Sequence, residues 1–133
     1  MRIVFDTNVL ISAFIARGHS HRVFEHCLHN HTIVTSRFIL EEFHEKLVDR
    51  FHYEAATADA VISFLESCTV VVTPEPLAAP VCRDPDDDTV IGTALSGACH
   101  YIVTGDKDLL VLKTIETVTI LTPAEIAELE QVQ

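Results

Sequence analysis

Alternation is the feature that most constrains this chain. Five short runs rich in apolar and β-branched residues, at 2–6, 32–35, 69–73, 101–104 and 118–121, are separated by segments whose apolar residues recur at helical spacing. Parallel neighbours need crossover connections long enough to hold a helix, so the pattern predicts a parallel sheet flanked by helices. The 133 residues suffice for one domain with a substantial core. No internal repeat or domain linker interrupts them, and Pro74, Pro76 and Pro80 mark a rigid extended connection.

Helices are expected at about Ile11–Ala16, Ser20–His29, Thr57–Ser67 and Lys107–Leu112. Ser36 is a plausible cap for a long helix to about Phe51, with Phe38, Ile39, Phe43, Leu47 and Val48 inward. Val61, Ile62, Phe64 and Leu65 form the inner face of the helix at 57–67. Asp88 is expected to open a helix running to Gly97, and Thr122-Pro123-Ala124-Glu125 is a capping box that starts the last one.

Onto this frame the sequence places carboxylates where open α/β sheets form their ligand crevices. Asp6 follows the first strand and Asp106 the fourth, so each lies at a carboxyl end. Glu41-Glu42 lie in the helix after the second strand, with Glu42 beside its apolar stripe and Glu41 toward solvent. Asp84-Pro85-Asp86-Asp87-Asp88 is a dense acidic loop at a helix start. One helix cap explains one aspartate, not four. Asp88 is the preferred ligand of this group, as the residue opening the helix. Converging carboxylates repel one another until a cation neutralises them, and their hard oxygens suit Mg²⁺ or Mn²⁺. Asn8 could orient a ligand, Thr104 could hydrogen-bond a carboxylate or phosphate, and Gly105 permits close backbone approach.

Other metal and phosphate chemistries fit less well. The acidic loop lacks the glycine and terminal glutamate of an EF-hand. A haloacid-dehalogenase-type phosphatase needs an aspartate where Asn8 stands, and a receiver domain needs one where Thr73 stands.

Four blocks together resemble the PIN domain family over essentially the whole chain: I-V-F-D-T-N-V-L, E-E-F, D-P-D-D-D-T-V-I-G-T-A-L and Y-I-V-T-G-D-K-D-L. The R-D-P-D-D-D version is similar to the PIN-family toxins of prokaryotic toxin–antitoxin systems. The resemblance implies a three-layer α/β/α fold around a parallel sheet of four to five strands. It implies a metal-dependent endoribonuclease holding one or two Mg²⁺ or Mn²⁺ ions, with the catalytic and metal-binding positions at Asp6, Glu42, Asp88 and Asp106. Asn8, Thr104 and Asp108 match supporting positions, and Asp84 and Asp87 belong to the acidic loop. Such toxins usually pair with a small antitoxin and often form homodimers or higher homo-oligomers. A catalytically inactive RNA- or partner-binding module of the same fold is the alternative.

The formal net charge of −11 argues against strong general affinity for RNA. Arg17, Arg37 and Lys107 are the candidate RNA contacts, with Arg22 behind them, and no aromatic stacking platform accompanies them. No apolar stretch approaches a membrane span. The scattered Cys27, Cys68, Cys82 and Cys99 form no C-x-x-C pair and read as reduced, buried thiols of a cytoplasmic protein, small hydrophobes in effect. His19, His21, His26, His29 and His31 crowd the second helix. With no cysteine or carboxylate in matching register, they read as solvated helix face or interface rather than as metal ligands.

Overall fold

The computed structural model describes residues 1–133. Its elements in chain order are β1 (Arg2–Phe5), α1 (Thr7–Ile15), α2 (His19–Asn30), β2 (Thr32–Ser36), α3 (Arg37–Asp49), α4 (Ala55–Cys68), β3 (Val70–Val72), α5 (Pro85–Ser96), β4 (Tyr101–Val103), α6 (Lys107–Leu110), β5 (Thr114–Ile115), β6 (Val118–Leu121) and α7 (Pro123–Glu130). The strands form one sheet in the order β3-β2-β1-β4-β6-β5.

The five expected strands are present and pair in parallel. The sheet has a sixth, β5, which runs antiparallel to β6 at the edge. β5 gives no local signal because it has two residues and no glycine or asparagine turn. Lys113 and Glu116 take the left-handed conformations of this region instead, at φ 62° and 51°.

β1 is central, and Ile3, Val4 and Phe5 are almost completely buried, as a strand covered on both faces requires. The chain runs outward from β1 through α1 and α2 to β2, then through α3 and α4 to β3, and the right-handed rule for such parallel crossovers sets these helices on one face. The next connection runs back past β1 to β4 and so lays α5 over the opposite face. α7 packs on α2 and β6. These layers enclose a continuous core that includes Phe24, Ile39, Phe43, Leu47, Leu65, Ile91, Ile102, Leu109 and Ile126. Phe64 departs from expectation. It is 46% exposed, because Ala58 and Leu65 supply the fully buried contacts of α4.

Two helix starts set the positions of the acidic side chains. α1 begins directly after Asp6, which is its N-cap and accepts the Thr7 N–H. α5 begins at Pro85, with Asp84 as N-cap accepting the Asp86 N–H at 2.9 Å. The helix therefore starts three positions before the expected Asp88. Proline at the first helical position costs no hydrogen bond, since that N–H has no partner inside the helix. The connection from 74 to 80 crosses α5 at Gly92, whose backbone bonds to Glu75. A Cβ there would lie 2.3 Å from the Glu75 carbonyl oxygen, so only glycine lets the two backbones approach.

Candidate active site

The parallel strands β1 and β4 are neighbours and end at the same sheet edge, with Phe5 opposite Val103. Asp6 and Thr104 follow directly, and both are buried. The Thr104 hydroxyl donates to Asp6 Oδ2 at 2.7 Å and also accepts the Asp106 N–H at 3.0 Å. One threonine thus fixes a carboxylate from the first strand and the peptide that carries the next carboxylate. Asp106 caps α6, and its Oδ1 accepts the Asp108 N–H at 2.8 Å.

The acidic loop contributes Asp87. It is only 7% exposed, and one oxygen from each of Asp87, Asp106 and Asp108 lies within 4.8 Å of the others. Burial pushes the Asp87 carboxyl up to about 7, reinforced by the charge of Asp106, a hydrogen bond to Asp106, and the charges of Asp6 and Asp84. Burial also raises Asp6. Its bonds from Thr104 and Thr7 oppose that rise, while the charges of Glu42 and Asp106 add to it. Glu42 is half-buried on α3, within electrostatic reach of both Asp6 and Asp86.

Asp6, Glu42 and Asp106 therefore share one edge. Asp88, the residue expected to ligate, lies apart from them in this structure. Its carboxylate turns to the connecting segment, accepting the Cys82 N–H at 2.8 Å and the Val81 N–H at 3.2 Å. The cause is the early start of α5. Consecutive helical residues point about 100° apart, so placing Asp87 toward the crevice turns Asp88 away. Asp84 is consumed as the helix cap.

Cations stand at the rim, though not all those expected. Arg37 pairs with Glu66 of α4 at 2.8 Å, and the Arg22 Nε donates to the Gln133 carbonyl. Arg17 lies in a groove with Phe14, His21 and Phe24. Lys107 is exposed at the start of α6, beside Asp106. Two cations absent from the sequence-based expectation come closer to the carboxylates. Lys46 Nζ donates to Asn8 Oδ1 at 3.1 Å and acts electrostatically on Asp86. Arg83 donates to Asp108 Oδ1 at 2.7 Å, with a side chain that is 86% exposed. Lys46 follows Glu42 by one helical turn, and that i,i+4 spacing is the signal that could have found it.

The donor set is all oxygen, and the neighbouring carboxylate charges add to the raised proton affinity of Asp6 and Asp87. Both properties suit a hard divalent cation. Arg83 and Lys46 are too peripheral to neutralise the buried Asp6 and Asp87.

The PIN domain family profile matches residues 2–108. A search of curated proteins returns no significant match. Among solved structures, VapBC2 from Rickettsia felis bound to a DNA fragment from their promoter is similar at a TM-score of 0.64 and 14% identity, over 92% of this chain and 98% of that one. VapBC-1 from nontypeable Haemophilus influenzae gives a TM-score of 0.66 and 15% identity, over 93% of this chain and 99% of that one. At such identities these likenesses speak for the fold, while the profile spans both strand-end carboxylates and the acidic loop between them: the chain belongs to the PIN domain family.

Proposed function

We propose that this protein is a Mg²⁺- or Mn²⁺-dependent endoribonuclease and the toxin of a toxin–antitoxin pair. The observation that carries the nuclease reading is the meeting of Asp6, Asp87 and Asp106, three carboxylates from distant parts of the chain, at the carboxyl ends of adjacent parallel strands. Asp6, Asp87, Asp106 and Asp108 would hold the metal, with Glu42 at the same edge. A divalent cation bound there supplies charge neutralisation and acidifies water for attack on a phosphodiester.

The protein's own groups prepare the site. Thr104 fixes Asp6, the cap of α6 fixes Asp106, and the Asp88 bonds to Val81 and Cys82 hold the loop that carries Arg83. Lys46, Arg83 and Lys107 offer cations to RNA phosphates at the rim of an otherwise acidic molecule. The resemblance to PIN-family toxins and the fold shared with VapBC structures support an antitoxin partner, a homo-oligomer and a cytoplasmic setting. No helix is long and apolar enough to cross a membrane.

The test is a Mn²⁺ titration by calorimetry together with cleavage of single-stranded RNA, on the parent and on Asp6→Asn and Asp106→Asn. The expected result is saturable binding and cleavage in the parent, both lost in the variants. Binding without cleavage would replace the nuclease with an inactive binding module. Absence of saturable binding would remove the metal site itself.

A further inference from the structure

Within the histidine-rich second helix Glu25 pairs with His21 one turn away, at 2.8 Å, against the expectation of no carboxylate in register, and the fold brings a second carboxylate from the far end of the chain. His26 lies on α2 and His31 just beyond it, and both direct Nε2 at one oxygen of Glu130, the last residue of α7. The distances are 3.1 Å from His26 and 2.6 Å from His31. All three ligand atoms lie within 4.8 Å of one another. We propose that His26, His31 and Glu130 form a second metal site, selective for a Zn²⁺-type ion and separate from the carboxylate crevice.

Zinc bonds of about 2.0–2.1 Å at a tetrahedral angle place ligand atoms roughly 3.3 Å apart. The His26–Glu130 spacing already approaches that value, and His31 needs to withdraw by only a fraction of an ångström. The side chains are 28%, 13% and 26% exposed for His26, His31 and Glu130. They are enclosed enough to be held in place and open enough for a fourth ligand. On the far side of the rings Asn30 Nδ2 lies 3.4 Å from His26 Nδ1 and the N-terminal ammonium 3.0 Å from His31 Nδ1, so both donors must turn aside when the metal-bound rings carry their protons on Nδ1. Hydrogen bonds from His31 and His26 hold the Glu130 carboxyl below its ordinary range. The neighbouring Cys27 is not part of the set. It is buried in the core, away from the three ligand atoms.

Ligand softness separates the two sites. Two imidazoles and one carboxylate favour Zn²⁺, Co²⁺ or Ni²⁺, whereas the all-carboxylate crevice favours Mg²⁺ or Mn²⁺. In the metal-free protein each imidazole N–H can donate to Glu130. Metal binding at Nε2 requires the other tautomer of each ring, with its proton moved to Nδ1, and it would fasten the end of α7 to the end of α2.

The test is a Co²⁺ titration in excess Mg²⁺, which keeps the crevice carboxylates occupied, followed by visible absorption and melting temperature. The parent should bind one equivalent, with a tetrahedral-type visible band and a raised Tm. Both effects should weaken by about tenfold or more in affinity for His26→Gln and for Glu130→Gln. His29→Gln, on the same helix but outside the cluster, should bind like the parent. If His26→Gln disturbs α2 in the metal-free melt, His31→Gln carries the same expectation from beyond the helix. A parent without a saturable site, or ligand variants that bind as the parent does, would overturn the proposal.

Discussion

Asp87 and Asp88 are adjacent in sequence but serve opposite sides of the start of α5. Asp87 is buried against Asp106, whereas Asp88 accepts backbone N–H groups of Val81 and Cys82. The two should therefore separate in a mutational test. Asp87→Asn should lower Mn²⁺ affinity and RNA cleavage by about 100-fold or more, as expected for a lost metal ligand. Asp88→Ala should leave metal affinity within a few-fold and cost ~1–2 kcal/mol of stability through its lost hydrogen bonds. Calorimetry and urea denaturation of both variants decide the assignment.

The raised Asp87 carboxyl makes stability depend on pH in a defined direction. Its folded value of about 7 exceeds the ordinary carboxylate value, so between these limits the native state binds more protons than the unfolded state. Stability of the metal-free protein should be greatest at the acid end of that window and fall as pH rises from about 4 to about 7. Asp87→Asn should flatten this slope and stabilise the metal-free protein at pH 8 by ~2 kcal/mol, through relief of repulsion. Mn²⁺ affinity of the parent should rise over the same window, because the metal displaces the proton. Melts and titrations across pH check both signs.

Thr104 ties Asp6 to the Asp106 peptide through one hydroxyl. Thr104→Val preserves shape but leaves Asp6 Oδ2 and the Asp106 N–H without that partner. It should cost ~2 kcal/mol in urea denaturation. It should also weaken Mn²⁺ binding, because Asp6 loses the bond that favours its charged form.

Lys46 and Arg83 stand at the crevice rim, and neither is buried. Lys46→Ala and Arg83→Ala should raise KM for RNA several-fold with little change in Tm. Each should also reduce the salt dependence of binding by about one phosphate contact. An unchanged KM would show that RNA approaches by another path.

Gly92→Ala drives a Cβ into the Glu75 carbonyl. Because backbone must shift to make room, the change should destabilise by ~2 kcal/mol or more and loosen the 74–80 segment. Denaturation together with hydrogen exchange at Glu75 would register it.

Much of this arrangement is legible in the sequence because β-branched runs and terminal aspartates announce themselves locally. The five parallel strands follow from period and length, and the Thr122–Glu125 capping box appears where its residues predict it. The start of α5 is harder, since Asp84, Asp86, Asp87 and Asp88 are all competent caps. The proline after Asp84 is the discriminating residue, because it fits the first helical position and leaves Asp84 as cap. Missing that step by three residues exchanges Asp88 for Asp87 in the crevice. The Arg83–Asp108 and His–Glu130 contacts are beyond local reading altogether, because partners 25 and about a hundred residues apart meet only through packing.

The hydroxyl that orients Asp6 arrives 98 residues after it. β4 must insert beside β1 before Asp106 meets Asp6, and α5 must be laid across the back of the sheet before Asp87 joins them. The loop-closure entropy of nearly the whole chain is spent before the carboxylates acquire their geometry. A chain halted before residue 101 has some of the acids and no crevice. An intact carboxylate crevice therefore reports completed topology, and partially folded or truncated forms of the protein should bind no Mn²⁺ there.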